Sequence, residues 1–262
     1  MSVDLDPLGE RPVPPPAPPP ASPPSASPPG GTDLLLRWVA ALGIATGIAA
    51  LLLDVFDVVA MPFTLTFVAL PATVAVVALG GLTGRTPQFT IARRLVVGAV
   101  SGVAATAAYD LARAAVAFAT PRNLDPFRAH PNFGALMLDT SPDTTAALVA
   151  GWGYHFWNGL TFAVLYTLLF GGARVRAAIA WAMTLEVATI AVTPRYTAID
   201  TTDVFFVTVS LVGHLVYGTV LGVLARQWLQ PDDMGGPGGV GGRGSARSPW
   251  DLTRPTWREG WR

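Results

Sequence analysis

No cysteine occurs in this 262-residue chain. That absence removes disulfides, thiolate metal sites, c-type haem attachment, a thiol nucleophile and a lipidated cysteine. Lysine is missing as well, since all 17 basic residues are arginine. A retinal or pyridoxal Schiff base is therefore excluded, and so is a P-loop lysine. Charge of either sign is scarce: 13% of residues are charged, against about 25% in soluble domains. The formal net charge is zero, so no nucleic-acid partner is implied.

What fills the chain instead is apolar, with 51% hydrophobic residues. Six runs are long enough to cross a bilayer, at about 34–56, 62–82, 95–119, 146–170, 177–193 and 204–225. Pro71 should kink the second, because it has no N–H for the helical ladder. A short Gly171-Gly172-Ala173-Arg174 turn separates the fourth from the fifth. The pattern predicts an all-α, polytopic transmembrane bundle of six helices over 34–228, in contact with lipid. Residues 1–33 read as a disordered, Pro-rich tail, with Pro14–Pro16 and Pro18–Pro20 favouring polyproline II. This tail is either a spacer or a ligand for a Pro-binding module. Its acidic start, with no apolar region at the usual distance, is not expected to be a signal peptide. Residues 229–262 read as a second disordered tail, rich in Gly and then in Arg and Trp (Trp250, Trp257, Trp261). It is either solvated or in contact with an anionic leaflet.

Arginine placement sets an orientation. Arg11, Arg37, Arg85, Arg93, Arg94, Arg174, Arg176, Arg226 and the arginines of the C-terminal tail fall on one face. Arg122, Arg128 and Arg195 fall on the other. Both termini are thus expected in the cytoplasm, and the Arg-for-Lys, Ala/Gly/Pro-rich usage points to a bacterial inner membrane. Gly43-x-x-x-Gly47, Gly98-x-x-x-Gly102 and Gly218-x-x-x-Gly222 let backbones approach closely. They serve contacts within the bundle or a homo-oligomer interface.

Against this background, His155, Glu186 and His214 stand in the middle of three successive apolar runs, and Asp110 in the run before. A charged group at membrane depth costs about 2.5–3.5 kcal/mol on insertion scales. At about 1.5 Å per residue, all four lie roughly 10–15 Å below the outer boundary and share one layer. Asn158, one turn from His155, and Arg113, three residues after Asp110, extend it. Tyr109, Tyr154 and Tyr217 flank it and offer hydroxyls. Asp110 and Arg113 are expected to neutralise each other. His155-x-x-x-Gly159 followed by Val164-Leu165 recurs 59 positions later as His214-x-x-x-Gly218 followed by Val223-Leu224, which hints at a parallel repeat. The long outer loop, Thr120 to Thr145, carries His130 with Asp125 and Asp139. These are read as solvated, with a surface metal site as the alternative.

Such a layer has three chemical uses. His155, Glu186 and His214 are a competent ligand set for a divalent metal, and two facing histidines can ligate haem. The same groups can relay protons, because His titrates near neutrality. They can also simply bond helix to helix. Gly153-Tyr154-His155, Phe162, Tyr166, the Thr193-Pro194 break and Gly213-His214-Leu215-Val216-Tyr217 together resemble the YagU-type inner-membrane proteins of bacteria, over roughly 98–226. That resemblance implies an inner-membrane location and no established activity. The leading expectation is translocation of a proton, ion or small solute. With no ATP-binding motif, that needs a gradient or a partner membrane subunit. A metal- or haem-dependent redox enzyme and a non-catalytic scaffold are the alternatives.

Overall fold

The computed structural model describes residues 31–84, 90–121, 125–195 and 200–229. The Pro-rich stretch, the Gly/Arg/Trp-rich C-terminal run, and Arg85, Arg122 and Tyr196 lie outside these. Among the described residues the fold is all-helical. Helix α1 is Gly31–Val55 and α2 is Met61–Thr83. Helix α3 is Ile91–Phe118, α4 is His130–Leu138 and α5 is Thr145–Phe170. Helix α6 is Val175–Val192, closed by a 3₁₀ turn at Thr193–Arg195, and α7 is Val204–Trp228. The six long helices match the six expected spans to within about one turn. Helix α1 begins before the expected start, so Asp33 belongs to it and forms a buried ion pair with Arg37 one turn on.

Five of these helices are long and apolar enough to cross a membrane, and the protein is built as a membrane protein. The exception is α5, whose Tyr154, His155, Trp157 and Asn158 lower its apolarity. Its neighbours explain this, because α5 packs against α1, α3 and α4 and so faces protein on several sides. Helix α3 lies between α5 and α7, and α6 packs on α7. The outer faces carry large apolar side chains such as Leu42, Phe67, Val77 and Leu111, all more than half exposed, as a lipid-facing surface requires.

Inside, small residues replace large ones. Ala40, Ala105, Ala163, Ala178 and Ala182 are fully buried. Lipid tails are as apolar as leucine, so helices gain by close backbone approach rather than by hiding apolar area. All three Gly-x-x-x-Gly pairs are spent on contacts within the bundle. Gly98 and Gly102 lie against Val164 and Leu160 of α5. Gly218 and Gly222 lie against Ile179 and Val175 of α6. Gly43 and Gly47 lie against Val76 and Trp157.

Helix ends show the same local logic. Pro71 cannot donate to the ladder, and just before it the helix widens into a π turn over Leu65–Ala69, with the Leu70 N–H bonded to the Leu65 carbonyl. Gly171, at φ 60°, closes α5 in a conformation that L side chains avoid. Beside it Arg94, only 1% exposed, donates to the carbonyl oxygens of Thr167 and Leu168 at 2.7 and 3.2 Å. A guanidinium there satisfies the orphan carbonyls and meets the negative end of the helix dipole. Arg93 donates to the carbonyl of Trp228 at 2.5 Å, and the Thr90 N–H donates to Asp33 at 3.1 Å. The start of α1, the start of α3 and the ends of α5 and α7 therefore meet at one end of the bundle. Helix α4 sits at the other end.

Candidate functional site

At the α4 end, helices α3, α4, α5, α6 and α7 enclose a cavity of about 140 Å³. That is room for several waters or one small solute. Thr106, Tyr109 and Arg113 of α3 form one wall, His155, Asn158 and Phe162 of α5 another, and Ser210, His214 and Tyr217 of α7 a third. His130 and Phe133 close the top.

The polar residues fall into two pairs. His155 Nε2 lies 3.0 and 3.1 Å from the two carboxylate oxygens of Asp110, joining α5 to α3. His214 Nδ1 lies 2.8 Å from Oε2 of Glu186, joining α7 to α6. That nitrogen is also 3.1 Å from the Ser210 carbonyl, and its in-line hydrogen bond runs there. The fully buried Glu186 carboxylate is thus left with the close His214 nitrogen and no directional hydrogen bond. The Tyr109 ring connects the pairs, with its centroid 5.8 Å from that of His155 and 4.9 Å from that of His214.

Several residues stand elsewhere than the sequence implied. Arg113 and Asp110 make their close contacts elsewhere: the guanidinium lies over the Tyr109 ring, 5.0 Å from the centroid, while Asp110 turns to His155. Tyr154 is outside the cavity, because its hydroxyl donates to the Gly47 carbonyl of α1 at 3.2 Å. Tyr217 lines the cavity and donates to the Gly159 carbonyl at 2.6 Å. Asn158 also lines it, with a buried Oδ1 that has no hydrogen-bond partner.

The largest correction concerns His130. It is 1% exposed rather than solvated. Its ring centroid lies 4.4 Å from that of His155 and 4.2 Å from that of Trp152. Burial above all, with His155 and Arg113 beside it, pushes its pKa down to about 3. The expected loop is here a short helix pressed onto α5. A Cβ at Gly134 would come 1.7 Å from the Ala147 carbonyl oxygen, and one at Gly151 would come 1.8 Å from the His130 carbonyl oxygen. The readable signal was Pro131 in a first helical turn, followed by Phe133, Gly134 and an apolar run to Leu138.

His155, Glu186 and His214 consequently do not form one ligand cluster. Among the described residues, the group of three with ligand atoms all within 4.8 Å of one another is Asp110, His130 and His155. The Tyr109 ring contacts both His155 and His214, the two histidines that the sequence offered as facing haem ligands. His130 and His155 are in ring contact.

A model of a family of unknown function, DUF6789, matches residues 92–234. The matched stretch takes in α3 to α7 and every residue of the cavity, and leaves out α1 and α2. No curated protein and no solved structure matches the chain.

Proposed function

The chain belongs to the DUF6789 family, whose function is unknown, and from that premise we propose that it moves a proton, an ion or a small solute through its buried His/Glu/Asp layer. One observation carries this reading. Titratable side chains adjoin one another around the cavity: His130, His155 with Asp110, Tyr109, and His214 with Glu186. Ionisable groups at membrane depth are costly, and where they persist they mark pathways for protons and ions. Imidazole both accepts and donates near neutral pH, which suits it to pass a proton between carboxylates.

Below this layer the path is shut. Ala105, Ala163, Tyr166, Ala178, Ala182 and Leu221 are fully buried and pack together. Passage therefore requires the helices to open alternately on the two sides, and not a standing pore. The arginine bias supports both termini in the cytoplasm of a bacterial inner membrane. In this proposal the regions before and after the bundle lie on the cytoplasmic side. A kinship with the YagU-type proteins belongs to the same proposal, on Gly153-Tyr154-His155 and Gly213–Tyr217. Without an ATP-binding motif in the sequence, the driving force is an ion gradient or comes through a partner subunit or second copy.

The test is proton flux into liposomes holding the purified full chain, read by an internal pH dye under an imposed potential. The wild type should exceed empty liposomes, and Glu186→Gln and Asp110→Asn should each lose at least about tenfold. Wild-type flux at the empty-liposome level, or flux untouched in both variants, removes the reading.

A further inference from the structure

We propose that Asp110, His130 and His155 form a binding site for a divalent transition-metal ion of the Zn²⁺ or Co²⁺ type. This names the ion for the translocation reading and rests on that reading only for its role as cargo. The site itself stands on geometry.

Two imidazoles and one carboxylate are the donor set that such ions favour, with bonds of about 2.0–2.2 Å. In a tetrahedral site, ligand atoms are then separated by about 3.3 Å. His155 Nε2 and the Asp110 oxygens already stand at 3.0 and 3.1 Å. The three ligand atoms all lie within 4.8 Å of one another, so closure requires movement of the order of 1 Å. The His130 ring, on a short helix, is placed to make it.

Independent of the cluster, His130 Nδ1 is buried and has no hydrogen-bond partner. A buried imidazole nitrogen without a partner is an unexplained cost, and a metal ion removes it. Asn158 Oδ1 lines the same cavity in the same condition and offers a further oxygen ligand. The cavity leaves an open coordination position for water or for transfer of the ion. Two atoms with lone pairs do not approach to 3.0 Å without a hydrogen between them. When the ion binds His155 Nε2 and Asp110 together, it takes the place of that hydrogen, and the ring binds as neutral imidazole with its N–H at Nδ1.

The absence of cysteine makes the test clean. Purified full-length protein in detergent is titrated with Co²⁺ and followed by visible ligand-field absorption. One Co²⁺ per chain should bind and be displaced by Zn²⁺, and His155→Ala should weaken binding at least tenfold. His130→Cys should keep binding and gain a thiolate-to-cobalt charge-transfer band in the near ultraviolet. Wild-type protein that does not bind Co²⁺, or a folded His130→Cys that binds it without the new band, overturns the proposal. Zn²⁺ flux into liposomes separates the two readings. Binding without Zn²⁺ or proton flux keeps the metal site and removes translocation. Proton flux by a protein that does not bind Co²⁺ does the reverse.

Discussion

His214 and Glu186 show what one residue contributes inside an apolar bundle. The carboxylate is fully buried and the His214 ring nitrogen stands 2.8 Å from it. Removing one member of such a pair strands the other, at about 3–5 kcal/mol, while replacing both with apolar groups is often close to neutral. His214→Leu should therefore destabilise the protein strongly, and the His214→Leu/Glu186→Leu double variant should recover most of the loss. Thermal unfolding in detergent of the two single variants and the double variant measures this. A double-variant loss equal to the sum of the two single losses would mean that the pair contributes no coupling. Glu186 was legible as an anomaly in an apolar run. Its partner was not, because pairing depends on how α6 is rotated against α7. Asp110 shows the same limit, since Arg113 was its obvious neighbour along the helix and His155, from another helix, is the one it contacts.

Elements decide where those residues meet. Helix α4 brings His130 into the site only because α4 and α5 cross almost without side chains between them. Gly134→Ala and Gly151→Ala each place a methyl group within 2 Å of a carbonyl on the opposite helix. Overpacking of this kind costs about 1–3 kcal/mol, and here it pushes α4 outward. Both variants should lose stability and expose the cavity, with tryptophan fluorescence of Trp152 and its neighbours becoming more accessible to an aqueous quencher. Unchanged quenching would mean that α4 is not seated as described. At the opposite end Arg94 holds the last carbonyls of α5. Arg94→Leu removes hydrogen bonds from a charged donor, each worth about 1.5–3 kcal/mol. It should lower the unfolding midpoint without changing Co²⁺ affinity, which a parallel melt and titration would check. The glycine spacings in α1, α3 and α7 were legible as contact faces. Those at Gly134 and Gly151 were not, because neither belongs to a Gly-x-x-x-Gly pair and each gains meaning only from the other.

At the scale of the whole molecule, the ends of α1, α3, α5 and α7 fix a polarity that cysteine labelling can read directly. Ser141→Cys, at the α4 end and exposed, should react with a membrane-impermeant maleimide in intact cells. Arg174→Cys, exposed at the opposite end, should react only after permeabilisation. The reverse pattern would invert the proposed orientation. The sequence by itself determined the class and the span boundaries, since apolar length is a property of each segment and the bilayer reads it locally. It also marked which titratable residues are out of place. Only the tertiary structure decided that His130 is in the cavity, that Tyr154 is not, and that the histidines serve two carboxylates instead of one cluster. Those outcomes depend on helix rotation and on backbone contact between segments far apart in the chain, where a shift of one residue turns a side chain by about 100°. A chain without cysteine or lysine thus holds its chemistry in a few buried polar side chains, placed by glycine and alanine contacts.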